Sequence, residues 1–155
     1  IYDVIVNGSG YFQHGHTYMG HATACAAALA VQQVIERDDL LQNVLNRGEQ
    51  LRAALRRELG EHPNVGDIRG RGLFVGVEFV ADRADKRALD PKLRTHAVLK
   101  KRAMENGLMM YPMGGTIDGV RGDHVLLAPP FICTADDIEE IVARFTETVR
   151  GLLPG

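Results

Sequence analysis

Between Leu73 and Phe79 the chain sets Leu73, Val75, Val77 and Phe79 on one side of a two-residue period, and Phe74, Gly76 and Glu78 on the other. A period of two predicts a strand that is half buried, with one face against a core. That face needs a covering layer, and the flanking segments offer one at helical spacing. Upstream, Leu41, Val44, Leu45, Leu51, Leu55 and Leu59 recur at three-, four- and six-residue intervals with charged residues opposite, and Gly60 is placed to end the helix. Downstream, Ile138, Ile141, Val142, Phe145, Val149 and Leu152 form one stripe, preceded by Thr134 and Asp137 at the spacing of a capping box.

The intervening and preceding segments are read in the same way. Arg69-Gly70-Arg71-Gly72 reads as a bend between two strands. Asp90 is placed to cap a helix with Pro91 at its first position, and Gly107 closes that helix. Leu108 to Tyr111 and Val125 to Ala128 read as short strands. The loop between them, Pro112 to His124, holds Gly114, Gly115, Gly119 and Gly122 and is too polar for a core. At the start, Ile1, Tyr2, Val4 and Ile5 suit a short helix ended by Gly8-Ser9-Gly10. A loop from Tyr11 to Gly20 then feeds an alanine-dominated helix from about His21 to Arg37, narrow enough to pack closely against a neighbour. From about residue 38 the order is helix, two strands, helix, strand, strand, helix, a small α+β layer with helices covering a short sheet.

A length of 155 residues suits one domain with a real core and is short for a complete two-domain cofactor enzyme. The chain opens on Ile1 rather than Met, which suggests processing, truncation or a missing upstream segment. With 45% hydrophobic and 25% charged residues and a formal net charge of -2, it has the composition of a soluble globular protein. Nothing in that balance attracts nucleic acid or an anionic membrane, so a small-molecule or protein partner is expected. Two cysteines, Cys25 and Cys133, make neither a disulfide framework nor a common zinc pattern and fit a reducing cytoplasm. No apolar run is long enough to span a bilayer.

Chemistry concentrates in the segment Phe12-Gln13-His14-Gly15-His16-Thr17-Tyr18-Met19-Gly20-His21, which leads into Ala22 to Ala30. His14, His16, His21 and Cys25 are zinc-type donors without a spaced second pair, so a metal site is not expected. An anion site is one reading: Gly15 and Gly20 permit close approach of backbone, Thr17 supplies a donor, and the helix starting near His21 adds its dipole. Plain helix capping is the other. A second block, Val65-Gly66-Asp67-Ile68-Arg69-Gly70-Arg71-Gly72-Leu73-Phe74-Val75-Gly76-Val77-Glu78-Phe79, has the wrong glycine spacing for a dinucleotide fingerprint and reads as turn and strand. Glu78 within it is expected to be solvated or ion-paired rather than catalytic.

The first block resembles the stretch after the catalytic lysine of class III aminotransferases, pyridoxal-phosphate enzymes of fold type I, in which H-G-x-T-Y-x-G-H-P-x-A-x-A-A-A-L-A is characteristic. The second resembles the family's V-x-x-x-R-G-x-G-L-x-x-G-[VI]-E-[LF]. A third, running from Gly107 to Tyr111 and from Gly122-Asp123-His124-Val125 through Pro129-Pro130-Phe131 to Thr134, resembles its closing G-[LV]-x-x-x … [LIV]-x-x-x-P-P-[LF]-x-[IV]-T. The chain departs from the first pattern at His16, often Phe, and at Ala22, often Pro.

The resemblance implies an α/β enzyme of which residues 1–37 are the end of the large cofactor domain and the start of a connecting helix. Residues 38–155 would be the C-terminal small domain, with a short mixed or antiparallel sheet. It implies pyridoxal 5'-phosphate as cofactor, with Thr17 and His16 as cofactor contacts, and an obligate homodimer with shared active sites in which the threonine meets the phosphate held mainly by the other subunit. It further implies transfer of an amino group from an amine or amino acid to an oxo acid or aldehyde. Arg121 is the candidate for gripping a substrate carboxylate. No catalytic residue is expected here: the Schiff-base lysine would lie upstream, and none of Lys86, Lys92, Lys100 or Lys101 has its context. Decarboxylation or amino-group migration would use the same framework. The competing expectation is a non-catalytic ligand-binding or dimerisation α+β module.

Overall fold

The computed structural model describes residues 1–153, which divide into two compact units, one of residues 1–38 and one from Asp39 onward. The first unit holds two helices, α1 (Tyr2–Asn7) and α2 (Ala22–Arg37), and neither buries a residue. The His21 ring caps α2, its Nδ1 accepting the Ala24 N–H at 3.3 Å.

The second unit runs α3 (Leu40–Leu59), β1 (Val65–Arg71), β2 (Phe74–Phe79), a single 3₁₀ turn (Pro91–Leu93), α4 (Thr95–Glu105), β3 (Tyr111–Gly114), β4 (Asp123–Leu127) and α5 (Ala135–Leu152). The four strands form one sheet in the order β1-β2-β4-β3. Every pairing is antiparallel, so of the mixed or antiparallel alternatives the sheet takes the second.

One sheet face carries the core. Val75 and Val77 are fully buried and Phe79 is nearly so, with Val125 and Leu127 beside them on β4. Leu51, Leu55 and Leu59 of α3, Leu99 and Ala103 of α4, and Ile138, Phe145 and Val149 of α5 complete the cluster. The α5 start is a full capping box: Thr134 Oγ1 accepts the Asp137 N–H and the Asp137 carboxylate accepts the Thr134 N–H. Arg144 satisfies the far end of α4, donating from one Nη to the Asn106 carbonyl at 2.8 Å.

Four boundaries differ from the sequence reading, each for a physical reason. Arg69, Gly70 and Arg71 belong to β1, where Arg71 pairs with Phe74, and the turn falls on Gly72-Leu73. The helix expected from Asp90 to Gly107 is broken. Asp90 does cap Lys92, but only for one 3₁₀ turn, and Arg94 adopts a left-handed conformation before α4 restarts at Thr95. The strand expected at 108–111 begins only at Tyr111, because Leu108 still donates its N–H to the Ala103 carbonyl at 2.8 Å and is buried beneath the helix it ends. β4 starts two residues early at Asp123, which is 5% exposed and so belongs to the interior rather than to a polar loop.

α3 lies very close to the β1–β2 turn. A Cβ on Gly48 would stand 2.3 Å from the Gly72 carbonyl oxygen and 2.7 Å from the Gly72 Cα, while Arg52 donates to that same carbonyl at 3.1 Å. Alanine gains roughly 1 kcal/mol of helix propensity over glycine. Backbone on both sides of this contact leaves nothing flexible to yield, and overpacking of that kind costs typically ~1–3 kcal/mol. A 2.3 Å approach to backbone falls in the upper part of that range, so Gly48→Ala is expected to destabilise the protein by about 1–2 kcal/mol net. Denaturant unfolding of the variant against the parent checks this, and an unchanged or raised midpoint would contradict the close approach.

Candidate functional site

The loop between α1 and α2 is built from local bonds. Met19 donates to the His16 carbonyl at 3.0 Å and His21 to the Tyr18 carbonyl at 3.1 Å, so His16 through Gly20 make consecutive turns. Gly20 takes φ +75° and a Cβ there would meet nothing within 4 Å, leaving open space where the chain turns into α2. Tyr18 stacks edge-on against His21 and Phe12 against His14, with ring centroids 6.2 and 5.9 Å apart. His16 and Thr17 are neighbours in one turn, both exposed, and among the described residues no protein group engages the Thr17 hydroxyl. His21 is occupied with capping Ala24. Among the described residues no three His, Cys, Asp or Glu side chains converge on a metal site.

In the second unit, Arg121 sits on a β3–β4 loop that is internally bonded. Thr116 donates to the Gly122 carbonyl at 3.3 Å, Ile117 to the Arg121 carbonyl at 3.0 Å and Gly119 to the Gly115 carbonyl at 2.9 Å. Asp118 organises the tip. Its Oδ1 accepts the backbone N–H of Arg121 at 2.7 Å and of Val120 at 3.0 Å, and its Oδ2 accepts Arg121 Nε at 2.7 Å. These donors hold the Asp118 carboxyl down at about 2, the Arg121 backbone N–H contributing most, then the guanidinium, then Val120. The Arg121 side chain stays 59% exposed. Only Nε is used among the described residues, which leaves the two terminal nitrogens without a protein acceptor while Asp118 pairs with the guanidinium.

Other candidates are explained by their neighbours. Arg69 donates from one nitrogen to Glu78 and to Asp67, each at 2.9 Å, across the open sheet face, and this pairing raises its pKa, Glu78 contributing most. Glu78 is thus an ion-paired strand carboxylate, as expected. Lys86, Lys92, Lys100 and Lys101 are all exposed. Cys25 is exposed, whereas burial pushes the buried Cys133 thiol above its ordinary value and away from nucleophilic use. A cavity of about 1020 Å³ between α3 and α5 is lined by Ala53, Ala54, Val142, Ala143 and ion-paired side chains such as Arg57 and Arg150, and shares no residue with the 115–122 loop.

The sequence reading missed one pair. Asp123 Oδ1 accepts both the backbone N–H of His96 at 3.1 Å and its ring Nδ1–H at 2.8 Å. The two lie 27 positions apart, with no local pattern to link them.

Similarity to known proteins runs along the whole chain. The family model for aminotransferase class-III matches residues 1–149. The chain belongs to the class III aminotransferases. It is 46% identical to an aminotransferase of Gibberella zeae, over 95% of this chain and 29% of that protein. With an uncharacterized aminotransferase of Schizosaccharomyces pombe it shares 45% identity, over 92% of this chain and 30% of that one. A crystal structure of an amine transaminase from an uncultivated Pseudomonas species, in its PLP-bound form, superposes with a TM-score of 0.82 at 32% identity, covering 98% of this chain and 33% of that one. The chain thus spans about a third of the length of the class III aminotransferases it matches. The family's cofactor is pyridoxal phosphate, and the antiparallel sheet with its helices is a segment of the fold type I architecture. No helix among the described residues is long and apolar enough to cross a membrane.

A depressed carboxyl contributes order above the ordinary carboxylate range near 4, and that contribution is lost as pH falls through about 2. Carboxyl-carbon NMR of Asp118 should therefore give a midpoint near 2. Arg121→Ala should raise it only part of the way, since alanine keeps the backbone donor. A midpoint in the ordinary range in the parent protein would show that the turn is not formed.

Proposed function

We propose that the complete protein containing this chain is a pyridoxal-phosphate-dependent aminotransferase, moving an amino group from an amine or amino acid to an oxo acid or aldehyde. On this reading residues 1–37 are the end of the large domain and the start of the connecting helix, and residues 38–155 are the C-terminal small domain. The working unit is a homodimer with shared active sites. Free thiols at Cys25 and Cys133 support a reducing, cytoplasmic location. The observation that carries the proposal is the match over residues 1–149 together with an exposed Thr17 whose hydroxyl is free for an anion.

The residues present fit one wall of the cofactor site. Thr17 and His16 lie on a turn with open space at Gly20, suited to a phosphate approaching from outside the loop. When bound, the cofactor supplies the electron sink for the transfer. Thr17 Oγ1 would donate a charge-assisted hydrogen bond to the phosphate and so help hold the cofactor, with His16 as the neighbouring contact. Arg121 orients a substrate carboxylate through its terminal nitrogens. No residue of this chain is assigned the amine that holds the cofactor, because residues 1–38 contain no lysine and the four later lysines are exposed.

Borohydride reduction of the complete protein with pyridoxal phosphate, followed by peptide mapping, should place a pyridoxyl group on a lysine outside residues 1–155. An adduct on Lys86, Lys92, Lys100 or Lys101, or none at all, would overturn this assignment. In the same protein Thr17→Ala should weaken cofactor retention by about 1–3 kcal/mol, the range for a hydrogen bond to a charged group, while Thr17→Ser retains most of it.

A further inference from the structure

One imidazole touches both stems of the loop that carries Arg121. β3 ends at Gly114 and β4 begins at Asp123, so these two residues are the loop's feet. On one foot, the Asp123 carboxylate accepts two bonds from His96, at 2.8 and 3.1 Å, and is 5% exposed. On the other, the His96 ring occupies the space above Gly114: a Cβ there would come within 2.4 Å of Nδ1 and 2.6 Å of Cε1.

His96 is itself held. It is the second residue of α4, whose N-cap Arg94 is left-handed and gives no side-chain cap, so Asp123 takes the capping role from a strand distant in sequence. Thr95 beside it is buried, which fixes the start of the helix. The loop above is stiffened by its own bonds and by Asp118. A lobe that is rigid within itself and pinned at both feet has its orientation set at the feet.

We propose that His96, through Asp123 and Gly114, is the positioning residue of the 115–122 loop and fixes the direction in which Arg121 is presented. The consequence for substrate rests on the reading of Arg121 as a carboxylate-binding group. The clamp itself does not. His96 touches no substrate. It acts on the transfer only by holding the lobe, so its loss should affect substrates that carry a carboxylate and spare those that do not.

Limited trypsinolysis of the complete, cofactor-loaded protein reads the clamp directly, because Arg121-Gly122 is a cleavable bond on the lobe. His96→Ala should speed cleavage after Arg121 about tenfold relative to cleavage elsewhere, with a lowered thermal midpoint because the interior Asp123 carboxylate loses its ring donor. His96→Asn, whose amide can still donate to Asp123, should restore much of the protection and serves as the folded test if the alanine variant is unstable. In steady-state assays with pyruvate and with butyraldehyde as acceptors, His96→Ala should raise KM for pyruvate several-fold with kcat little changed, and leave butyraldehyde unaffected. Unchanged cleavage after Arg121 in both folded His96 variants overturns the clamp. Arg121→Ala is the separate control: if it leaves KM for pyruvate unchanged, the carboxylate role of Arg121 falls, while the trypsin result still decides on His96.

Discussion

The burial of one face of β2 is the constraint from which the second unit is built. Val75, Val77 and Phe79 are all but inaccessible, and a strand reaches that state only if it has neighbours on both edges and a layer above. β1 and β4 supply the edges, and α3 and α5 supply the layer, each turning its leucine or phenylalanine stripe onto the same face. Full burial of side chains of this size contributes roughly 1.5–3 kcal/mol each, which exceeds anything the surface ion pairs can provide. Close packing of α3 then dictates glycine at position 48, because the helix backbone must come against the Gly72 carbonyl for its leucines to reach the sheet. β3 falls to the free edge, where Pro112 can be tolerated without a donor.

The groups proposed to meet cofactor and substrate stand outside that core, on segments whose shape is set by short-range hydrogen bonds. Thr17 sits in consecutive turns and Arg121 on a lobe organised by Asp118. On the second of these, the bonded turn lets Arg121 remain exposed and still point in a fixed direction, which a solvated flexible arm would not do. The open sheet face follows a different logic. There Arg69 pairs with both Asp67 and Glu78 across two strands, so a strand carboxylate that could look reactive in the sequence serves to keep a half-exposed sheet polar.

Elements dominated by one period were legible in the sequence: the stripe of α5, the alternation along β2, the Thr134–Asp137 box, and the α3 stripe from Leu51 to Leu59, although at its start Leu40 is buried and Leu41 and Leu45 are exposed. Their identity depends on residues within a few positions of one another. What the sequence concealed depends on partners far along the chain. The break at Arg94 makes sense only once Asp123 is known to cap α4 from β4, and Asp123 reads as loop because nothing within ten residues shows that His96 will bury it. The strand after Gly107 was placed too early for a related reason, since Leu108 is apolar in order to seal the helix end rather than to enter the sheet. The chemistry of Thr17 was legible only as an alternative between anion binding and capping. The structure assigns the capping bond to His21 and leaves the threonine hydroxyl unengaged among the described residues.

The first unit poses the opposite problem from the second. α2 is a 16-residue helix that buries none of its residues, and alanine-rich helices of that length are only marginally stable in water on their own. Tyr2, Phe12, Tyr18, Leu29 and Val31 are likewise exposed. A segment with so little internal burial cannot hold a turn rigidly enough to aim a hydroxyl, so the order around Thr17 must come from apolar surface that the Ile1–Asp38 unit does not itself contain. That requirement agrees with the proposed reading of these residues as one wall of a larger, shared site: the packing that steadies α2 and the closing of a phosphate site over Thr17 would then be a single event. On that reading the function of the loop would rest on assembly, whereas the 115–122 lobe is braced by its own hydrogen bonds.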